Sequence, residues 1–242
     1  MKWQKQGLVY VPTEDLWWAK NHAYLPTVDI VEDKSIIRVY FASLDEDNFG
    51  RIGYIDLDID DPTRILFLAK EPVLDLGKLG TFDDSGVSPS CIVKVGSKKY
   101  LYYIGRQRTQ RIPYMLFARL AISNDNGNTF QRYSCVPILD RTASEPLTRS
   151  ATTIIEEGGI FKMWYVSALD WIDIKGKLYP PYVARYADST DGVSWKSQDT
   201  VCINFHSADE FGFGRPWVIK DGRIYKMWYS IRSKSRPYRR VM

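Results

Sequence analysis

The 242-residue sequence holds only two histidines and three cysteines, and it has no apolar run of the roughly 18 residues that would span a bilayer. Cys91, Cys135 and Cys202 are odd in number, widely spaced and never paired as CxxC, so neither a disulfide framework nor a zinc cage is expected. Cys91 and Cys202 sit in apolar runs of strand character, where a small buried thiol is the natural reading. His22 and His206 are too few for a histidine-rich metal site, and no metal or cofactor is expected. The first residues, MKWQKQGLVYVPTEDLWW, lack the uninterrupted apolar stretch of a secretory signal. A reduced, cytoplasmic protein with no membrane partner is the expectation. Helical periodicity is nearly absent as well.

Acid is missing from one place. Residues 223–242 carry seven of the 33 Lys and Arg and no Asp or Glu, so the preceding 222 residues are net −3 although the whole chain is +4. The body is therefore no polycation, which removes the main electrostatic support for a nucleic-acid partner. Residues 86–90 (GVSPS) lack the second glycine and the strand-to-helix setting of a nucleophile elbow. Gly212-Phe213-Gly214 lacks the third glycine of a dinucleotide loop.

What is present is repetition. An aromatic hairpin strand recurs as IIRVYFAS, KKYLYYIG, IFKMWYVS and IYKMWYSI, and its last aromatic falls at Phe41, Tyr103, Tyr165 and Tyr229. The spacings are 62, 62 and 64 residues. Each anchor follows an extended apolar strand and a polar turn, and further strands lead into the related turns 123–130 (SNDNGNTF) and 189–195 (STDGVSW). Asp125 and Asp191 suit such turns as acceptors of backbone N–H bonds, so a structural role is expected for both. Strands every 8–12 residues in units of about 63 predict an all-β fold, a β-propeller whose small sheets bury both faces against neighbours. One domain over 1–242 is expected, with blades from about residues 22, 84, 146 and 210. Residues 1–21 are expected to supply a closing strand or a plug.

Counting nineteen residues back from three anchors gives His22, Asp84 and Glu210. Blade three is read as holding one extra hairpin residue, so twenty back from Tyr165 gives Glu145. These four are expected to ring the channel mouth, with Arg149 and Arg215 just inside it. Carboxylates facing a confined cavity suit glycoside chemistry, one protonating the leaving oxygen and another assisting water. The arginines suit an anionic or hydroxyl-rich ligand, and Trp17, Trp18, Trp171 and Trp217 offer faces for sugar rings. The expected partner is a carbohydrate or sugar phosphate. The competing expectations are a non-catalytic sugar-binding propeller and a scaffold for protein partners.

The segments WWAKNHAYLPTV, FDDSGVSPSCIV, SEPLTRSATTII and GRPWVIKDGRIYKMWYS, with the SxDG turns, resemble the five-bladed propellers of the glycoside hydrolase family 43 and 32 superfamily. They are most similar to uncharacterised bacterial members often found with surface-polysaccharide genes. The resemblance implies a glycosidase taking an Asp from blade one, an Asp from blade two and a Glu from blade three. Asp84 matches the second and Glu145 the third, while Asn21-His22 departs from the first. The implied roles are Glu145 as acid, Asp84 as stabiliser and His22 or Asp83 as base, with Arg149, Arg215, Glu210 and Trp217 around the substrate. At about 63 residues per blade, the chain from residue 22 holds about 3.5 blades of the expected five. A C-terminally truncated propeller is expected, with an open sheet edge near Tyr229 that can pair with another chain.

Overall fold

A computed structural model of the chain describes residues 4–13, 15–31 and 34–235. Among them there is no α-helix. Strands β1 (Asn21–Val31), β2 (Ile36–Leu44), β3 (Gly50–Asp58) and β4 (Ile65–Leu68) form one antiparallel meander. A second comprises β5 (Val87–Val95), β6 (Lys98–Arg108), β7 (Tyr114–Ser123) and β8 (Gln131–Arg132). In the third, β9 (Thr148–Glu157) and β10 (Ile160–Ala168) are separated from β13 (Val183–Ser189) and β14 (Lys196–Val201) by an inserted hairpin. That hairpin is β11 (Ile172–Ile174) with β12 (Lys177–Tyr179). Finally β15 (Glu210–Asp221) pairs with β16 (Ile224–Ser233), which has no second neighbour among the described residues.

Successive sheets meet edgewise at single steps: Gly50 beside Gly86, Phe117 beside Arg149, and Phe213 N donating to the Tyr182 carbonyl at 2.9 Å. Elsewhere they pack face to face. The fold is the all-β propeller that the repeats predict, with three complete blades and half of a fourth. The basic residues Arg236, Arg239 and Arg240, and Tyr238, lie outside the described residues.

Alternation along the second strands explains the packing. In β10, Phe161, Met163 and Tyr165 are buried, and they meet Tyr102, Leu120 and Ile154 in one cluster between the second and third blades. Tyr40, Ile52, Leu101, Tyr103 and Phe130 fill the equivalent layer between the first and second. Each such side chain contributes about 1.5–3 kcal/mol by leaving water.

The SxDG turns bolt one blade to the next. Tyr40 Oη donates to the carbonyl of Gly127 at 2.8 Å, and Tyr102 Oη donates to that of Gly192 at 2.8 Å. Both glycines have positive φ, +85° and +72°, and a Cβ there would meet the tyrosine oxygen at 2.1 and 2.8 Å. Asp125 and Asp191 hold these turns closed. Burial works against the Asp125 charge, but hydrogen bonds from Ser123, Thr129 and Asn128 outweigh it and bring the carboxyl down to about 2. The backbone N–H groups of Ser194 and Val193 do the same for Asp191, also to about 2.

Two sequence counts need correction. The hairpin of blade three has no extra residue: Val95 faces Lys98, Glu157 faces Ile160 and Asp221 faces Ile224, each across a two-residue turn. Blade one is the exception, because Val31 faces Ile36 across four residues. The N-terminal segment supplies no strand among the described residues. Instead Trp18, fully buried, covers Gly53 so closely that a Cβ there would lie 2.0 Å from the ring.

Replacing Tyr102 by Phe removes one bolt without removing the ring. Chemical denaturation is expected to show a loss of about 1 kcal/mol. Gly192→Ala is expected to cost more, since the new methyl meets both the positive φ and the tyrosine oxygen.

Candidate functional site

The four inner strands β1, β5, β9 and β15 carry a β-bulge in the same place. Registers slip between Tyr24 and Thr27, between Pro89 and Cys91, between Trp164 and Val166 opposite β9, and between Gly214 and Trp217. At or beside the slip, Leu25, Ala151 and Arg215 have positive φ (54°, 50° and 40°), and Pro89 occupies the matching place in β5. Left-handed backbone at non-glycine residues costs about 1–3 kcal/mol each and clusters at working sites. Bulges of this kind re-aim side chains.

The residue just before the bulge pairs with the residue after each anchor: Tyr24 with Ala42, Ser88 with Ile104, Ser150 with Val166 and Gly214 with Ser230. Three of these four positions carry hydroxyls. Ser88 Oγ donates to Tyr24 Oη at 3.3 Å, joining blades one and two. Burial raises the Tyr24 hydroxyl pKa, while the bond from Ser88 and the nearby charge of Arg106 oppose the rise. A cavity of about 370 Å³ opens there, lined by His22, Tyr24, Leu25, Leu44, Ser88, Ile104, Arg106, Tyr114 and Leu116. Its size lies within the range of about 300–1,000 Å³ usual for small-ligand sites. The Arg106 guanidinium lies 5.7 Å from the Tyr114 ring centroid, and Trp171 packs against the same tyrosine in a T-shaped arrangement at 5.7 Å. Tyr114 also borders a second hollow of about 560 Å³, between residues 109–113 and strand β12.

Arg215 enters from blade four. Its Nη2 donates to Thr27 Oγ1 at 2.9 Å and to the carbonyl of Pro26, next to the cavity residue Leu25. Its guanidinium lies 5.8 Å from the Trp217 ring, which is half-buried. Burial, with no acid nearby, brings Arg215 down to about 10.

The expected carboxylates are elsewhere. The corrected registers put Asp83, Glu145 and Asp209 twenty residues before Tyr103, Tyr165 and Tyr229, so the counted ring of His22, Asp84, Glu145 and Glu210 is not one equivalent set. Asp83 is fully buried and accepts bonds from Tyr103 Oη (2.9 Å), Arg119 (2.7 Å) and Arg132 (2.9 Å). Burial disfavours its charge, but the hydrogen bond from Arg132 and the charges of Arg132 and Arg119 win, and the pKa is lowered. Glu145, also fully buried, accepts from Tyr165 Oη at 2.8 Å and pairs with Arg149 Nε at 3.0 Å and Arg185 Nε at 3.5 Å. Arg149 is thus committed to Glu145, Tyr165 and the Asp140 carbonyl rather than to the mouth. Asp84 closes the turn at 80–85, accepting from Gly80 N and Ser85 Oγ. Glu210 accepts from His206 N beside a separate hollow behind β11. His22 does line the cavity, bonded to Asn21.

Of the expected tryptophans, Trp18 is core and Trp17 donates to Glu71 at 3.0 Å. Among the described residues no group of three His, Cys, Asp or Glu stands close enough to hold a metal ion. Tyr24, Ser88, Ser150 and Arg106 escaped the sequence count. A proline within one residue of the bulge in three inner strands (Pro26, Pro89, Pro216) was the available signal, because an interior strand proline marks an irregularity.

No protein-family model matches the chain. A protein of Mycobacterium tuberculosis, the uncharacterised Rv1502, is 36% identical over 239 residues, which cover 98% of this chain and 79% of the relative. Among solved structures, a glycoside hydrolase superposes with a TM-score of 0.72 at 16% identity, covering 96% of this chain and 71% of its own. A thermostable family-43 glycoside hydrolase gives 0.65 at 16% identity, covering 91% and 70%. The sucrose-6-phosphate hydrolase of Lactobacillus gasseri gives 0.63 at 9% identity, covering 91% and 42%. At these identities the structural likeness is one of fold.

Asp83→Asn is expected to destabilise the protein by about 3–5 kcal/mol at pH 7, because Arg119 is left buried without its anion. A lowered carboxyl pKa stabilises above the ordinary value of about 4 and ceases to do so as pH falls through the folded-state value. The gap between wild type and variant in denaturant titrations should therefore be widest near neutrality and shrink on acidification.

Proposed function

The chain belongs to the same family as mycobacterial Rv1502, and for this member we propose a glycan-binding function exercised at the mouth cavity between blades one and two. The observation that carries this reading is the cavity's make-up. Tyr24 and Tyr114 offer aromatic faces, and Ser88, Arg106 and His22 offer polar groups at one end of the inner strands. Aromatic walls with a few placed polar groups suit a sugar, whose ring has an apolar face and an equatorial belt of hydroxyls. The fold shared with glycoside hydrolases, including one acting on a sugar phosphate, supports the same ligand class.

Hydrolysis is the part of the glycosidase expectation that the cavity does not support. Acid and base carboxylates must face the scissile bond about 5–9.5 Å apart. No Asp or Glu lines this cavity. Glu145 and Asp83 are buried in ion-pair networks outside the cavity lining, and Asp84 is tied into its turn. The reading is therefore binding without turnover.

Calorimetric titration against arabino-, xylo-, fructo- and galacturono-oligosaccharides tests it. Saturable binding is expected for at least one series, weakened about tenfold or more in Tyr114→Ala, in line with the loss of a buried aromatic contact. No new reducing ends are expected on long incubation. Reducing ends released by the wild type and abolished in Glu145→Gln would overturn the non-catalytic reading.

A further inference from the structure

The described buried and half-buried arginines pair with carboxylates, and three half-buried ones break that rule. Arg38 pairs with Asp56, Arg51 with Asp45 and Asp75, Arg119 with Asp83, and Arg149 and Arg185 with Glu145. Arg106, Arg215 and Arg232 are half-buried, and none has a carboxylate partner among the described residues. Arg106 Nε, Arg215 Nε and Arg232 Nη1 are each buried with no hydrogen-bond partner; Arg119, Arg149 and Arg185 also bury an Nε without a hydrogen bond, but each of those has a carboxylate beside it. A cation withdrawn from water without an anion is costly, and unpaired buried polar atoms in a folded protein call for an occupant.

The three are not scattered. Arg106 and Arg232 occupy the same repeat position, three residues after the anchors Tyr103 and Tyr229. Each stacks on a tyrosine of the rim, Arg106 on Tyr114 at 5.7 Å and Arg232 on Tyr182 at 4.8 Å. Arg215 arises from the bulge of blade four and reaches Pro26 and Thr27 of blade one. Guanidinium groups present paired N–H donors whose geometry matches carboxylate and phosphate oxygens.

We infer that the glycan taken by this mouth is anionic, a sugar bearing a carboxylate or a phosphate that Arg106 binds and that Arg215 and Arg232 attract. The inference rests on the glycan-binding reading and names its substrate class. The hollow beyond Tyr114, bordered by Arg111 and Lys177, gives room for a further sugar residue of the same acidic chain.

The test is calorimetric titration of the full chain with trigalacturonate, its methyl ester, galactose 6-phosphate and galactose, at low and at about 0.15 M salt. Acidic probes are expected to bind at least about tenfold more tightly than their uncharged counterparts, the scale of one charge-assisted hydrogen bond, with the gap narrowing as salt rises. Arg106→Gln should abolish that preference, and Arg106→Lys should restore part of it. The thermal midpoint of Arg106→Gln should be no lower than that of the wild type, because an unpaired buried cation has been removed. Tighter binding of trigalacturonate than of the phosphate would identify a carboxylate ligand, and the reverse order a phosphate; either supports the inference. Equal binding of acidic and uncharged probes would overturn the charge inference and leave the glycan reading standing. Binding of acidic probes unaffected by Gln at Arg106, Arg215 and Arg232 together would remove these residues from the site. No binding by any of these probes or by the arabino-, xylo-, fructo- and galacturono-oligosaccharides would overturn the glycan reading itself.

Discussion

The architecture depends on a buried carboxylate that each middle blade holds behind its own inner strand. In blade two Asp83 joins the incoming segment to the second strand through Tyr103 and to the third through Arg119. In blade three Glu145 does so through Tyr165 and Arg185. The arginines are equivalent by register, Arg119 facing Tyr103 and Arg185 facing Tyr165. Blade one keeps the packing and discards the charge. Its anchor is Phe41, the residue facing it is Gly53, and the space an arginine would need is filled by Trp18. Trp18 lies 5.8 Å from the Phe41 ring. An apolar plug and an ionic network thus serve the same joint, consistent with buried ion pairs being replaceable by well-packed apolar groups of similar volume.

That constraint decides what chemistry is left for the mouth. Asp83 and Glu145 each neutralise two arginines, and all their neighbours are structural. Neither lines the cavity, and a carboxylate engaged by two arginines serves poorly as a proton donor to a leaving group. Asp83 and Glu145 hold strands to the segments that lead into them.

Much of the fold was legible in the sequence, because aromatic anchors about 63 residues apart, alternating strands and SxDG turns are all local patterns. The site was less legible for a physical reason. Side chains alternate across a strand, so a slip of one residue turns an inward group outward. The inner-strand bulges and the longer hairpin of blade one each shift the count by one or two residues. The nineteen-residue count falls on Asp84, whereas register makes Asp83 the equivalent of Glu145, and Ser88 and Tyr24 lie outside that count. The β11–β12 hairpin was missed because its strands have three residues each, too few to show periodicity, although Lys175-Gly176 marks its turn.

The mouth also departs from the symmetry that built it. Three residues beyond the anchors stand Leu44, Arg106, Ala168 and Arg232, in blade order. One repeat position therefore alternates between apolar and cationic around the axis. A symmetric propeller would present four like groups and favour a compact ion on the axis. Alternation instead favours a ligand with two unlike sides, one apolar enough to lie against Leu44, Leu116 and Tyr114 and one bearing charge for Arg106. An acidic sugar ring has both, since its carbon face is apolar and its substituent carries the charge at the edge. Apolar walls on the first side lower the local dielectric and strengthen the field of the arginine on the second.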